Sequence, residues 1–318
     1  HQFGQPIANF GAIKHKLGEM TVRTYALESM VFRTAGLIDA ALNGGEPGDD
    51  AALIAVLEEY AIESSILKVA GSETLDYVLD ENVQIHGGNG YVKDYPAERH
   101  YRDSRVNRIF EGTNEINRLL IPGILVKRAL KGRLPLITAA KKLQDELMNP
   151  SPLIPPSAEL LKTQQEMVTM FKKVALAVLG LALQTYGDKL TEQQEVLLFT
   201  ADILIDTYAA ESAVLRALQS ATTRERGSTH ADAARTYAND AASRIDAAAR
   251  SALAAMTEGD TLRTHLAALR RLLKVTPVNT VAIRRSVADV VMGEVRPTFK
   301  KTGTLGRSTF FQIRARRQ

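Results

Sequence analysis

Residues Gln84 to Ile121 read QIHGGNGYVKDYPAERHYRDSRVNRIFEGTNEINRLLI. The run Gly87-Gly88-Asn89-Gly90 and the turn Glu111-Gly112-Thr113 place two glycine-rich breaks close together in one stretch. Neither can continue a helix without cost, because glycine loses the most conformational freedom on being ordered. Two readings are open on spacing alone. The glycines let the pyrophosphate of a phosphate-bearing ligand reach main-chain N–H groups, with Thr113 opening a helix whose free N–H donors face an anion. Alternatively, they are two plain structural helix breaks.

The flanking sequence is helical in pattern. From Asn9 to Leu42 the apolar residues Phe10, Ile13, Leu17, Met20, Tyr25, Leu27, Met30, Leu37 and Leu42 recur mostly at three- and four-residue steps, which predicts one long helix closed by Asn43-Gly44-Gly45. Pro47-Gly48-Asp49-Asp50 starts a second helix through Leu53, Val56, Tyr60, Ile62, Ile66 and Val69, and Gly71-Ser72-Glu73 is read as its join to a third that ends near Val83. A further helix resumes after Thr113 with Ile116, Leu119, Leu120 and Ile124 as its stripe. Beyond it Gly132, Pro135, Asn149-Pro150-Ser151-Pro152 and Pro155-Pro156 make the clearest composition break, read as a domain linker. Past the linker, a stripe from Leu160 to Leu181, a capping box at Thr191-Glu-Gln-Gln194, an alanine-rich helix from His230 to Met256 and shorter helices over 263–275 and 278–292 predict a second helical domain.

Composition agrees with an all-α fold. The chain has 318 residues, 6% aromatics and no tryptophan, with alanine and leucine abundant, a balance that favours helices over β-branched strands. No cysteine is present, so disulfides, cysteine-ligated metals and thiol nucleophiles are excluded. The net charge of +4 is uneven. Two acid-free stretches, from Ile116 to Gln144 and from Arg296 to the end, carry fourteen basic residues, so the remaining body is acidic at −10. Two local basic segments therefore describe the chain better than a general affinity for polyanions, and nucleic-acid binding has no motif beyond charge.

There is no Walker pattern, no His-Glu-x-x-His and no Gly-x-Ser-x-Gly. The histidines His1, His15, His86, His100, His230 and His265 are scattered, which reads as packing and surface residues with no metal site. The longest apolar run, Val174 to Leu183, is half the length a membrane span needs. The chain opens His1-Gln-Phe-Gly without signal core or presequence and reads as cut from a longer protein.

The Gln84–Ile121 stretch resembles the C-terminal helical domain of acyl-CoA dehydrogenases, the flavoproteins of fatty-acid β-oxidation. Gln84-Ile-His-Gly87-Gly88-Asn-Gly90-Tyr91 is similar to the family segment that receives the adenosine and pyrophosphate half of FAD from a neighbouring subunit. Phe110-Glu111-Gly112-Thr113-Asn114-Glu115 is similar to its catalytic turn, and Tyr101-Arg102-Asp103-Ser104-Arg105 to its Arg-Asp step. The resemblance runs back to Phe3-Gly4-x-Pro6-Ile7, so it covers 1 to about 125. It implies Glu111 as catalytic base with Gly112 beside it, and Phe3, Gln84, Gly87, Gly88, Thr113 and Glu115 as FAD contacts. It also implies that the family's N-terminal and β domains and the bundle's first helix lie outside these residues.

More weakly, residues 157–295 resemble the extra helical domain of the very-long-chain branch and of bacterial long-chain enzymes. That likeness implies long acyl-CoA substrates, a homodimer and an electron-transferring flavoprotein as partner. The division expected is therefore a bundle over 1–125, a basic Pro-rich linker over 126–156, the extra domain over 157–295 and a basic tail over 296–318. The segment 124–147 sits where very-long-chain enzymes associate with membranes. Leu125, Leu130, Leu134 and Ile137 alternating with lysines could lie on anionic lipid, but the reading preferred is a solvated interdomain connector broken at Gly132 and Pro135. The implied setting is a bacterial cytoplasm, with a mitochondrion and a lost presequence as the alternative. A rival to the enzyme is a non-enzymatic assembly protein on the same fold.

Overall fold

The computed structural model describes residues 2–42, 50–148, 159–221 and 227–293. These residues are all-α: twelve helices, three short 3-10 turns and one isolated bridge between Gln2 and Gln5. The helices are α1 (Gly11–Leu42), α2 (Asp50–Glu59), α3 (Ala61–His86), α4 (Gly88–Tyr91), α5 (Pro96–Arg105), α6 (Asn114–Leu130), α7 (Leu136–Met148), α8 (Lys162–Tyr186), α9 (Gln194–Ala221), α10 (Gly227–Met256), α11 (Gly259–Leu272) and α12 (Thr280–Met292). The closing glycines after Leu42, the linker prolines from position 150 onward and the basic tail lie outside the described residues.

α1 buries Gly18, Val22, Tyr25, Ala26, Ser29 and Met30, the three- and four-residue spacing of one helix face. Two cores meet along it. Val22, Tyr25 and Ala26 join Phe171, Val174 and Val178 of α8, Ala210, Ala213 and Ala217 of α9, and Ala234, Ala238, Ala241 and Ile245 of α10. Met30 joins Ile62, Ile66 and Val69 of α3, Ile121 of α6, and Ala201, Ile205 and Ala209 of α9. The alanine faces of α9 and α10 let those two backbones approach closely, since interaxial distance follows side-chain size. Helices from both halves of the chain thus share each core.

α12 returns to α1. A Cβ on Gly18 would stand 2.7 Å from the Arg284 Cβ and closer still to the Arg284 carbonyl oxygen, so glycine is required there. The buried Arg284 then reaches Glu19 of α1 (Nη2 to Oε2, 2.5 Å) and Asp240 of α10. α1 also runs antiparallel to α3. Lys16 pairs with Glu81, the Arg23 guanidinium lies 3.8 Å from the Tyr77 ring centre, and Leu27 faces Gly71.

Three expectations are corrected. Gly71 is no join: α3 runs unbroken from Ala61 to His86 and the break falls at Tyr60, since one helical glycine costs only about 1 kcal/mol and does not by itself end a helix. Thr191 does not cap α9. It lies in a 3-10 turn over Gly187–Glu192, and α9 starts only at Gln194. Gly87–Gly90, read as a break that is either a loop or a plain C-cap, caps α3 at Gly87, but Gly88–Tyr91 then forms a single helical turn instead of loop.

The stretch expected as linker is largely helical where it is described. α6 continues through Pro122 to Leu130, and α7 follows. α7 packs on α8, burying Leu143 and bringing Ala140 against Gly180. Of the residues read as suited to lipid, Leu125 packs against the second core, whereas Leu130 and Ile137 are exposed. The basic Arg128 is already engaged, donating to the Glu58 and Glu59 carbonyls at the end of α2. Among the described residues, no helix is long and apolar enough to cross a membrane.

Candidate active site

The site is built from the turn between α5 and α6. A 3-10 turn over Val106–Arg108 leads into Ile109 and Phe110, after which Glu111 and Gly112 both take left-handed backbone conformations, at φ 56° and 82°. For a glutamate this conformation costs about 1–2 kcal/mol. Thr113 then reverts to extended backbone and caps α6, its Oγ1 accepting from the Ile116 N–H at 3.3 Å.

Two asparagines hold the turn. The buried Asn117 donates from Nδ2 to the Gly112 carbonyl (3.0 Å) and the Thr113 carbonyl (3.1 Å). A Cβ on Gly112 would stand 3.0 Å from that same Nδ2 and push it aside by a few tenths of an ångström, so the φ of residue 112 is the main reason for glycine and the brace a second one. Asn114, the first residue of α6 and 1% exposed, is tied to α3. Its Oδ1 accepts from Lys68 Nζ (2.7 Å), and its Nδ2 donates to Ser72 Oγ (2.9 Å) and Glu73 Oε1 (3.1 Å).

Glu73 in turn takes both arms of the Arg118 guanidinium, Nη1 to Oε1 at 2.6 Å and Nη2 to Oε2 at 2.9 Å, while Arg118 Nε donates to Asp202 of α9 at 2.7 Å. Burial pushes the Glu73 carboxyl up, but the Arg118 hydrogen bonds and charge, helped by Asn114, outweigh it and hold Glu73 below the usual range. Asp202 goes the other way. Burial raises it and one arginine contact does not compensate, with Glu73 and Asp206 adding like charge.

The outer face of this turn is apolar and open. Ile109 is 55% exposed, Phe110 47% and Ile116 52%, and Glu111 itself is exposed. The stripe expected to be buried on α6 is therefore partly the wrong face. Ile116 and Leu120 lie outside, while Asn114, Asn117, Ile121 and Pro122 are inside. Glu115 is exposed beside them, its carboxyl held low by hydrogen bonds from its own backbone N–H and from Thr113.

The other predicted residues form a second group at the end of α3. Gly87, at φ 58°, closes the helix with its N–H on the Gln84 carbonyl at 3.2 Å. Gln84, Gly87 and Gly88 are exposed, and nothing lies within 4 Å of a Cβ built on either glycine, so their backbone is open to a ligand. Gly90 is different. It is buried with the Val83 carbonyl where its Cβ would be, a packing reason for glycine.

Phe3 stands 93% exposed at the tip of a tight turn closed by the paired Gln2 and Gln5 backbones, at φ 52° with Gly4 at 79°. The segment leading into α1 shares one end of the bundle with this group, since Lys16 meets Glu81. The structure does not bring the two groups together. The Glu111 turn is anchored at Ser72 and Glu73, and Gln84 lies about 16 Å farther along α3 at 1.5 Å per residue.

Asn114, Asn117, Arg118, Glu73 and Asp202 escaped the sequence reading. Buried polar residues interrupt the apolar stripe used to find a core. Their one sequence signal was the pair of asparagines spaced three apart just after the Gly-Thr cap. Among the described residues, no group of three or more histidines or carboxylates could hold a metal ion.

Two family models, both described as the acyl-CoA dehydrogenase C-terminal domain, match residues 1–123 and 170–271. A probable acyl-CoA dehydrogenase of Bacillus subtilis is 46% identical over 292 residues, covering 90% of this chain and 49% of that protein. The crystal structure of an acyl-CoA dehydrogenase complexed with FAD from Bacillus anthracis superposes with a TM-score of 0.90 at 45% identity, over 92% of this chain and 51% of that one. An acyl-CoA oxidase from Yarrowia lipolytica, at 16% identity, shares the fold over 92% of this chain with a TM-score of 0.62. The chain spans about half the length of the Bacillus proteins it matches. From both ends of its sequence, this chain belongs to the acyl-CoA dehydrogenase family.

Proposed function

We propose that these residues are the C-terminal part of an FAD-dependent enzyme that converts a long-chain acyl-CoA to its trans-2-enoyl-CoA, with Glu111 as the base. The observation that carries this reading is the conformation of Glu111. Among the described residues only Phe3, Glu111 and Leu161 combine a side chain with a left-handed backbone, and two of these three are predicted site residues. Strain of this kind persists where surrounding structure holds it and concentrates at functional turns. Here Asn117 and Asn114 supply the hold, and the strained carboxylate sits on an apolar, uncovered rim.

The chemistry follows from what a thioester needs. Its α-proton is too weakly acidic for a carboxylate in water, so charge developing on the thioester oxygen has to be stabilised as the proton leaves. The Glu111 carboxylate takes the α-proton while its own backbone N–H donates to that oxygen. Covering the rim of Ile109, Phe110 and Ile116 with an acyl chain would dry the carboxylate and raise its basicity. FAD, when bound, supplies the two-electron oxidant that accepts the β-hydrogen as hydride. The open, exposed backbone at Gly87 and Gly88 fits a pyrophosphate, Gln84 adds an exposed amide beside it, and Phe3, Thr113 and Glu115 would meet other parts of the cofactor. The separation between the two groups agrees with the adenosine half coming from a neighbouring subunit.

The second helical unit supports a long-chain enzyme and a homodimer, because α9, α10 and α12 cover faces of α1 and α6 that would otherwise be free for self-association. The electron acceptor would be an electron-transferring flavoprotein, and the Bacillus relatives favour a bacterial cytoplasmic setting. The direct test uses the full-length protein that contains these residues. Anaerobic addition of a long-chain acyl-CoA should bleach the flavin and yield the trans-2-enoyl product. A preparation that holds flavin and does not bleach with any chain length would sink the enzyme reading in favour of an assembly role.

A further inference from the structure

The base-bearing turn does not end at its own helix. From Gly112 the contacts run inward: Asn114, on the first turn of α6, donates to Glu73 Oε1 at 3.1 Å, and Glu73 is gripped by both arms of Arg118. The third nitrogen of that guanidinium, Nε, donates to Asp202 at 2.7 Å. Asp202 belongs to α9, in the second helical unit, eighty-four residues along the chain from Arg118. A guanidinium has five donors in a rigid plane, so fixing Nε at Asp202 also fixes the orientation in which Nη1 and Nη2 meet Glu73. Glu73 must stay in place to accept from Asn114, and Asn114 is the residue that sets the start of α6 beneath Glu111.

We infer that Asp202 is a positioning residue for proton abstraction: the second helical unit, through Arg118, Glu73 and Asn114, sets the placement of the Glu111 turn. The inference rests on the reading of Glu111 as base. The surroundings favour a positioning role over a merely structural one. Arg118 lines a cavity of about 310 Å³ between the two halves of the chain, together with Glu19, Arg23, Asp206, Tyr237 and Arg244. The cavity wall also carries Val22, Ala70 and Ile205, but the directional contacts of the guanidinium are those to Glu73 and Asp202, so Asp202 fixes an orientation that apolar packing alone does not specify. The nearby Asp206 is no substitute, since Arg244 binds both of its oxygens and Tyr237 donates to Oδ1. The C-terminal unit then does more than add mass, because removing one of its carboxylates should be felt at the reacting carbon.

The experiment uses the full-length, flavin-loaded enzyme and compares Asp202→Asn, Asp202→Glu, Arg118→Gln, the Asp202→Asn/Arg118→Gln double variant and Glu111→Gln. The readouts are flavin content, KM for a long-chain acyl-CoA and the anaerobic rate of flavin reduction. Asp202→Asn should lower the reduction rate about tenfold, as expected for a slightly misplaced reacting group, with flavin content and KM unchanged. Asp202→Glu should recover most of the loss. In the Arg118→Gln background, Asp202→Asn should have no further effect, because the arginine that carries its influence is already gone.

A parent-like reduction rate in Asp202→Asn, or a full and additive loss in the double variant, would overturn the inference. If Asp202→Asn loses flavin, Arg118→Lys becomes the probe. It keeps a charge for Glu73 but not the fork that spans both carboxylates, and an undiminished rate in that variant overturns the inference equally. Failure of the underlying reading looks different: Glu111→Gln would then reduce its flavin at the parent's rate, whatever Asp202 does.

Discussion

Asn117 Nδ2 lies 3.0 Å from the Gly112 carbonyl oxygen and 3.1 Å from that of Thr113, so one buried amide braces both residues that follow Glu111. The contact explains how a glutamate stays in the left-handed region at a solvent-facing turn. Removing the donor and reversing its polarity should then have different effects. Asn117→Ala takes the side-chain donor from the Gly112 carbonyl, while the Thr113 carbonyl keeps the residue 117 backbone N–H, and is expected to cost about 1–3 kcal/mol, read as a lower thermal midpoint. Asn117→Asp puts carboxylate oxygens against those carbonyls and should cost more. Equal midpoints for the two variants would show that the amide does not hold the turn.

In the full-length enzyme, Glu111→Gln keeps the size and backbone N–H of the residue and removes the proton acceptor. Folding and flavin content should survive, while flavin reduction by a long-chain acyl-CoA should fall about 10² to 10⁴-fold, the range for losing a general base. Stopped-flow bleaching under anaerobic conditions measures this, and a parent-like rate would remove Glu111 from the mechanism.

The isolated 318-residue chain should hold FAD poorly. Its contacts split between the Gln84–Gly88 group and the Glu111 turn, and the apolar rim of Ile109, Phe110 and Ile116 stays uncovered. Titration followed by flavin fluorescence should show no saturation at about 1 μM FAD, a concentration that would require roughly −8 kcal/mol of binding free energy. Saturation there would mean that these residues form a complete site.

Packing of α12 on α1 is tested at Gly18. Gly18→Ala forces a methyl group into the Arg284 backbone, and overpacking of this kind costs about 1–3 kcal/mol or more. The same displacement should loosen the Arg284 pairs with Glu19 and Asp240, so α12 should become sensitive to limited proteolysis before the rest of the chain.

Acid stability should depend on Glu19 and Glu73. At Glu19 burial raises the pKa, but the Arg23 hydrogen bond and the Arg284 charge and hydrogen bonds outweigh it and leave the carboxyl below its ordinary value of 4.5. A lowered folded-state pKa stabilises the fold fully above the unfolded value and loses that contribution as pH falls through the folded one. Both glutamates therefore contribute fully above about pH 4.5 and lose that contribution progressively as pH falls from there through their lower folded-state values, while the raised Asp202 works in the opposite direction. Glu19→Gln should consequently flatten the fall of the thermal midpoint between about pH 5 and 3. An unchanged slope would mean that the Arg284 pair contributes nothing to acid sensitivity.

What the sequence determined by itself was local. Helical periodicity set α1, α8 and α10 to within a few residues, and the two glycine clusters marked the ends of α3 and the start of α6, because backbone conformation there depends on residues close in the chain. The residue types at Gln84–Gly88 and Glu111–Glu115 carried the family resemblance for the same reason. Tertiary structure decided the rest. Gly71 looked like a break, yet it lies inside an unbroken α3, and no local pattern separates a glycine within a helix from one that ends it. Ile116 and Leu120 looked like core and face outward, while the buried face of α6 carries Asn114 and Asn117. A buried polar side chain is stable only when its partners arrive, and here they come from Lys68, Ser72 and Glu73 on another helix, with Asp202 behind them from the far half of the chain. Those partners are brought together by the packing of α3, α6 and α9, so the support of the Glu111 turn exists only once the helices have assembled.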